Sequence, residues 1–183
     1  MRYAMIMAGG SGTRFWPASR ADLPKQLLTL SGTRSMIQET AHRIAPLVPV
    51  ERIRVLTNQR LVRTIQEQLP DLSASSILGE PCKRDTAPCI GLAALLIQQE
   101  DPEATMVVMP ADHVISPADV FCQAIEHAAG LVDSTPQRII TFGIRPSYAA
   151  ESFGYIESGS LLESGNGRSR PTVRASTSAQ PLG

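Results

Sequence analysis

Gly9, Gly10 and Gly12 fall together in the stretch "GGSGTR", and Arg14, Arg20 and Lys25 follow them closely. A turn this rich in glycine lets backbone N–H groups approach a ligand, and the flanking cations make that ligand an anion. The pattern outlines a phosphate site. Two familiar phosphate motifs are excluded. A P-loop needs Gly-Lys followed by Ser or Thr, but Gly12 is followed by Thr13 and Arg14. A dinucleotide fingerprint needs a third small residue where Phe15 stands. A solvent-exposed turn that merely needs positive φ would also use glycines, and the three cations argue against it. Further along, "VVMPADHVI" carries an apolar run into Pro110 and a carboxylate. Asp112, at a strand's carboxyl end, is placed to bind Mg²⁺, a hard ion that commonly joins one or two carboxylates to substrate phosphates. A loop or helix-entry aspartate is the plainer alternative. His113 suits a hydrogen-bonding role as well as a chemical one, and His42 and His127 lie in helical segments with no special task expected.

The elements that must position these residues show in the periodicity. Strand-like runs cover residues 3–8, 53–57, 76–78, 106–109 and 139–142, and segments of helical period cover 35–45, 59–69, 86–99 and 117–132. Asp85 or Thr86 is expected to cap the third helix, which has Pro88 in its first turn. Ser116 is expected to cap the fourth, with Pro117 at its first position. Alternating strands and helices predict an α/β fold with a mostly parallel sheet and helices on both faces, its ligands at the carboxyl ends of the strands. The unusual residues fall at that rim: the glycine turn after the first strand, "GEPCKRDTAP" after the third, "PADH" after the fourth and "GIRPSYAAESFGYIE" after the fifth.

At 183 residues, 43% hydrophobic and 19% charged, the chain has the composition of one ordinary globular domain. Its 17 basic residues balance its 17 acidic ones, which argues against nucleic acid or an anionic membrane as the main partner. No apolar run reaches the roughly 18 residues needed to span a bilayer, and the opening apolar run is too short for a signal peptide. A cytoplasmic protein is expected. Cys82, Cys89 and Cys122 lack paired spacing and are expected to be buried or free thiols. Past about residue 159 the periodicity fails, and the Ser-, Gly-, Arg- and Pro-rich residues 163–183 are expected to be a disordered tail.

"AGGSGTRFWPASR" followed by "PKQ" resembles the signature of sugar-1-phosphate nucleotidyltransferases, in the form found in the mannose-1-phosphate guanylyltransferase type. The resemblance implies a Rossmann-like sheet of the nucleotide-diphospho-sugar transferase type. It also implies Mg²⁺-dependent transfer from GTP to mannose 1-phosphate, giving GDP-mannose and pyrophosphate. The glycine turn, Thr13 included, would wrap the triphosphate, Arg14 would contact phosphate, and Lys25 would hold and neutralise the reacting groups. "EPCKRDTAP" is similar to the family's base-recognition segment, which puts Glu80, Arg84 and Thr86 near the base; Asp85 stands where the family usually has Asn. "GIRPSYAAESFGYIE" resembles the sugar-binding stretch, through Gly154 and Tyr155, with Glu151 displaced by one position from the family's carboxylate. A β-bulge needing Gly154 is the structural alternative there.

The resemblance covers residues 1–162, which are expected to form the N-terminal part of the transferase domain. A family member continues with a Phe-x-Glu-Lys-Pro stretch, a second metal aspartate and a β-rich segment. This chain is therefore expected to be a version incomplete on its C-terminal side, with impaired activity. Two other readings stand beside it: a non-catalytic nucleotide-binding fragment, and a related enzyme using glucose 1-phosphate with UTP or dTTP. A homo-oligomer is left open.

Overall fold

The computed structural model describes residues 1–10, 16–20, 23–30, 32–82, 84–149, 151, 154–163 and 173–176. The chain divides into two compact units, Met1–Ala118 and Asp119–Gly183.

The first unit is built on four strands, β1 (Arg2–Ala8), β2 (Ile53–Asn58), β3 (Ile77–Glu80) and β4 (Thr105–Pro110). They pair in the order β3-β2-β1-β4, all parallel, with Ile6 opposite Val55 on one side and Met109 on the other. An apolar run without polar alternation belongs at the centre of such a sheet, where both faces are covered. Tyr3, Ala4, Met5 and Ile6 of β1 are indeed all buried. Three helices connect the strands: α1 (Met36–Ile44), α2 (Val62–Gln68) and α3 (Thr86–Glu100). Crossovers between parallel strands are right-handed, so α1 and α2, which lead outward to β2 and β3, cover one face. The connection through α3 runs back past β1 to β4 and therefore covers the other. Cys89 and Ala93 of α3, one helical turn apart, pack there with Met5 and Leu56. Ser35 caps α1 in a reciprocal capping box with Gln38.

The second unit contains α4 (Ala118–Ser134) from its second residue onward and an antiparallel pair, β5 (Ser158–Glu163) and β6 (Val173–Ser176). Among the described residues, no helix is long and apolar enough to cross a membrane.

The α/β class, the parallel sheet and its common rim agree with the sequence expectation, and four details differ. Residues 139–142 form no strand; Ile139 and Phe142 are exposed, because β-forming side chains make a strand only where a neighbouring backbone completes the ladder. Asp85 does not cap α3: it sits at φ 63° and ψ −159°, with no side-chain hydrogen bond to the helix, a backbone region that costs a non-glycine residue about 1–3 kcal/mol. The α4 helix begins at Ala118, which leaves Pro117 just outside it. Ser158–Glu163, where no strand was expected, pairs with Val173–Ser176 inside the tail expected to be disordered; a ladder is held by backbone groups, which a polar composition does not remove.

Candidate active site

The sheet order reverses direction between β1 and β4, and the crevice outside the carboxyl ends of two such strands is where ligands of open α/β sheets bind. At that point lies a cleft of about 100 Å³ lined by Gly10, Lys25, Gln26, Asp112 and the last residues of β1. Lys25 Nζ stands 3.3 Å from Asp112 Oδ2. Lys25 is largely covered and Asp112 about half exposed, so the carboxylate faces the opening. Each is held by local structure. Lys25 opens a 3₁₀ turn (Lys25–Leu27) that follows the buried Pro24. Asp112 follows Ala111, whose N–H donates to the Met7 carbonyl at 2.9 Å and ties the exit of β4 to β1.

The backbone from Ala8 to Gly10, where the glycine stretch begins, is anchored from beneath. Gln26 is buried, and its Nε2 donates to the Ala8 carbonyl at 2.6 Å and to the Gly10 carbonyl at 3.3 Å. Thr57 Oγ1 donates to the same Ala8 carbonyl at 3.0 Å. Two side chains thus fix the point at which the backbone leaves β1. Neither is among the residues singled out from sequence. Gln26 is legible as the polar residue beside Lys25 in "PKQ"; Thr57, at the end of an apolar strand, gives no signal of its own.

Glu80 is the last residue of β3 and not part of the loop after it. Its carboxylate reaches over to the start of the glycine turn, where a Cβ on Gly9 would lie only 2.7 Å from Oε2. A side chain at position 9 would therefore displace the Glu80 carboxylate. Behind Glu80 lies Cys89, the first buried residue of α3. Burial pushes its thiol up to about 12, and the charge of Glu80 and a hydrogen bond to it push the same way. The thiol stays protonated at neutral pH and serves Glu80 as a weak donor. Gly79 allows a second close contact, since a Cβ there would collide with the Gln59 side chain and come within 3.0 Å of its Cα.

Of the residues singled out from sequence, Gly10, Lys25 and Asp112 share the cleft, with Gly9 and Glu80 packed together at its edge. Arg84 and Thr86 are exposed at the entry to α3. Glu151, Gly154 and Tyr155 are exposed in the second unit, and Tyr155 makes at least one contact of its own. Gly12, Thr13 and Arg14 lie outside the described residues. Among the described residues no three His, Cys, Asp or Glu side chains converge as a metal-binding group. The cysteines are free thiols.

A parallel sheet gathers Gly10, Lys25 and Asp112 at its switch point, in the manner of the open α/β domains that bind ligands there. The chain belongs to the nucleotidyl transferase family, whose sequence profile matches residues 3–170. It is 40% identical over 162 residues to mannose-1-phosphate guanylyltransferase 2 of Escherichia coli O157:H7, a match that covers 86% of this chain and 33% of that protein. A crystal structure described as a mannose-1-phosphate geranyltransferase from Thermus thermophilus superposes with a TM-score of 0.75 at 32% identity, over 87% of this chain and 46% of that one. A mannose-6-phosphate isomerase structure from Helicobacter pylori gives 0.69 at 27% identity, over 86% and 55%. The chain spans about a third of the length of the curated relatives it matches.

Proposed function

We propose that this chain carries the nucleotide-binding part of a guanylyltransferase that joins GTP and mannose 1-phosphate into GDP-mannose, with release of pyrophosphate. The observation that carries the reading is the Lys25–Asp112 pair, set at the switch point beside Ala8 and Gly10, whose carbonyls Gln26 holds. In the reaction a phosphate oxygen of the sugar phosphate attacks the α-phosphorus of GTP. The new P–O bond forms as the bond to the pyrophosphate leaving group breaks. Both reactants are anions, so the protein's work is to bring them together in line and offset their charge. Lys25 and Arg14 would supply that charge, and Gly9, Gly10, Gly12 and Thr13 would let the backbone close on the triphosphate. Glu80, Arg84 and Thr86 would face the base, and Glu151, Gly154 and Tyr155 the sugar.

The residues present fit Mg²⁺ in one common manner, with Asp112 as protein ligand and substrate phosphates completing the shell. Bound there, the ion would neutralise phosphate charge. Lys25 has the further task of holding Asp112 in position when no phosphate is there.

Calorimetric titration with GTP and Mg²⁺, beside a pyrophosphate-release assay with mannose 1-phosphate, tests the reading. GTP binding that weakens roughly tenfold or more in Lys25→Met supports it, on the strength of charge-assisted hydrogen bonds. Absence of binding, or tighter binding of UTP or dTTP, removes the guanylyl assignment. Binding without pyrophosphate release leaves a nucleotide-holding domain. That second reading is favoured by the solvent exposure of Glu151, Gly154 and Tyr155.

A further inference from the structure

We propose that Cys89 is a positioning residue, whose thiol holds the Glu80 carboxylate in the orientation that suits a guanine base and so sets the chain's preference among nucleotides. Glu80 faces the base in the guanylyltransferase reading, on which this rests; Cys89 has no part in that reading.

The alternation of side chains along the strands brings the two residues together. In a parallel sheet, residues paired in register share a face, and every second residue along a strand returns to it. Met7 pairs with Leu56, Leu56 with Leu78, and Asn58 with Glu80. Met7 and Leu78 pack against the cluster of Met5, Leu56, Cys89 and Ala93 beneath α3, so Glu80, two residues beyond Leu78, emerges on that same face. Gly9, two residues beyond Met7, is the point its carboxylate reaches, since a Cβ there would lie 2.7 Å from Oε2. The carboxylate thus lies between the end of β1 and the start of α3. The Cys89 thiol donates to it, and burial together with the charge of Glu80 keeps that proton in place at neutral pH. The Met, Leu, Ile, Val and Ala side chains of the cluster carry no donor, so Cys89 alone of them can fix the carboxylate. Guanine presents N1–H and its 2-amino group side by side, two donors that fit the two oxygens of a carboxylate in a fork. The last torsion of a glutamate is broad, so a carboxylate that nothing holds turns out of that plane.

The test is calorimetric titration of the full 183-residue chain with GTP, ITP and inorganic tripolyphosphate, each with Mg²⁺. ITP lacks the 2-amino group, and tripolyphosphate lacks the base altogether. The unaltered chain should prefer GTP to ITP. Cys89→Ala should cut that preference about threefold to tenfold, the worth of one ordinary hydrogen bond, and leave the affinity for tripolyphosphate unchanged. Cys89→Ser keeps a donor and should restore most of the preference. In Glu80→Gln the preference is already lost, and adding Cys89→Ala should change nothing further, which marks the two residues as one unit. Should Cys89→Ala fail to fold by circular dichroism, Cys89→Val, which fills the space without a donor, takes its place. A merely structural role weakens all three ligands alike; that result, or a GTP-to-ITP ratio that does not move in Cys89→Ala, overturns the proposal alone. An unaltered chain that binds GTP and ITP equally well removes Glu80 from the base, and the proposal with it.

Discussion

At the carboxyl end of β1 the backbone leaves a strand whose interior is entirely covered, whereas residues 139–144 carry Ile139 and Ile144 into solvent at 93% and 90% exposure. Both stretches are largely apolar, and residues 139–144 are the richer in residues that favour strands. The difference is neighbours. β1 has β2 and β4 on its two sides, with α3 on one face, and every one of those contacts adds burial that the local sequence cannot supply. Residues 139–144 are in no ladder, so the same kind of side chains gain little. The contrast extends to function. Lys25, Gln26 and Asp112 sit where the sheet holds them, while Glu151 and Gly154 lie exposed in the second unit, where the fold gives them less support.

The sharpest test of that contrast is to truncate one isoleucine from each region. Ile6→Ala, at a position with no solvent exposure, should cost about 2–5 kcal/mol of unfolding free energy, and Ile139→Ala less than about 0.5 kcal/mol. Urea denaturation followed by circular dichroism measures both. Equal losses would mean that residues 139–144 are packed in solution, and the contrast would collapse.

A smaller effect is expected beneath the glycine turn. Gln26→Leu removes both side-chain donors to the Ala8 and Gly10 carbonyls, but Ala8 keeps its bond from Thr57. The cost should be about 1–2 kcal/mol, with GTP affinity falling at the same time because the backbone at Ala8 and Gly10 is less firmly held. Glu151→Gln, in the exposed region, should change stability by less than about 0.5 kcal/mol. A Gln26→Leu protein with unaltered stability and GTP binding would show that the backbone at Ala8 and Gly10 keeps its place without the anchor.

The smallest effect is a pH dependence. Folded Cys89 keeps its proton up to about pH 12, whereas the unfolded thiol loses it near 9.0. Between those values the folded chain binds more protons than the unfolded one, so the contribution is whole below about pH 9 and is lost as pH rises towards 12. Denaturation midpoints at about pH 8 and about pH 10.5 should therefore differ less in Cys89→Ser than in the parent, and Cys82→Ser, at an exposed thiol, should keep the parent's difference. Identical slopes for all three proteins would remove Glu80 and burial as influences on Cys89.

The alternation of apolar runs with helical periods determined the class of fold, and the glycines, Lys25 and Asp112 marked the rim, because turn chemistry and burial are written locally. Four of the five expected strands, out of the six among the described residues, and the four helices were legible for that reason. Pairing was not. Whether residues 139–142 find a partner, and that Val173–Ser176 does, depends on backbone groups far apart in the chain. Asp85 read as a helix cap because its type favours that position, yet its backbone conformation is set by the route from β3 into α3. The anchoring of the glycine turn by Gln26 and Thr57, 16 to 49 residues away along the chain, and the approach of Glu80 to Gly9 were decided only when the sheet brought three strand ends to one rim. Local patterns specify what a segment can become; only contacts between distant segments decide which polar groups meet.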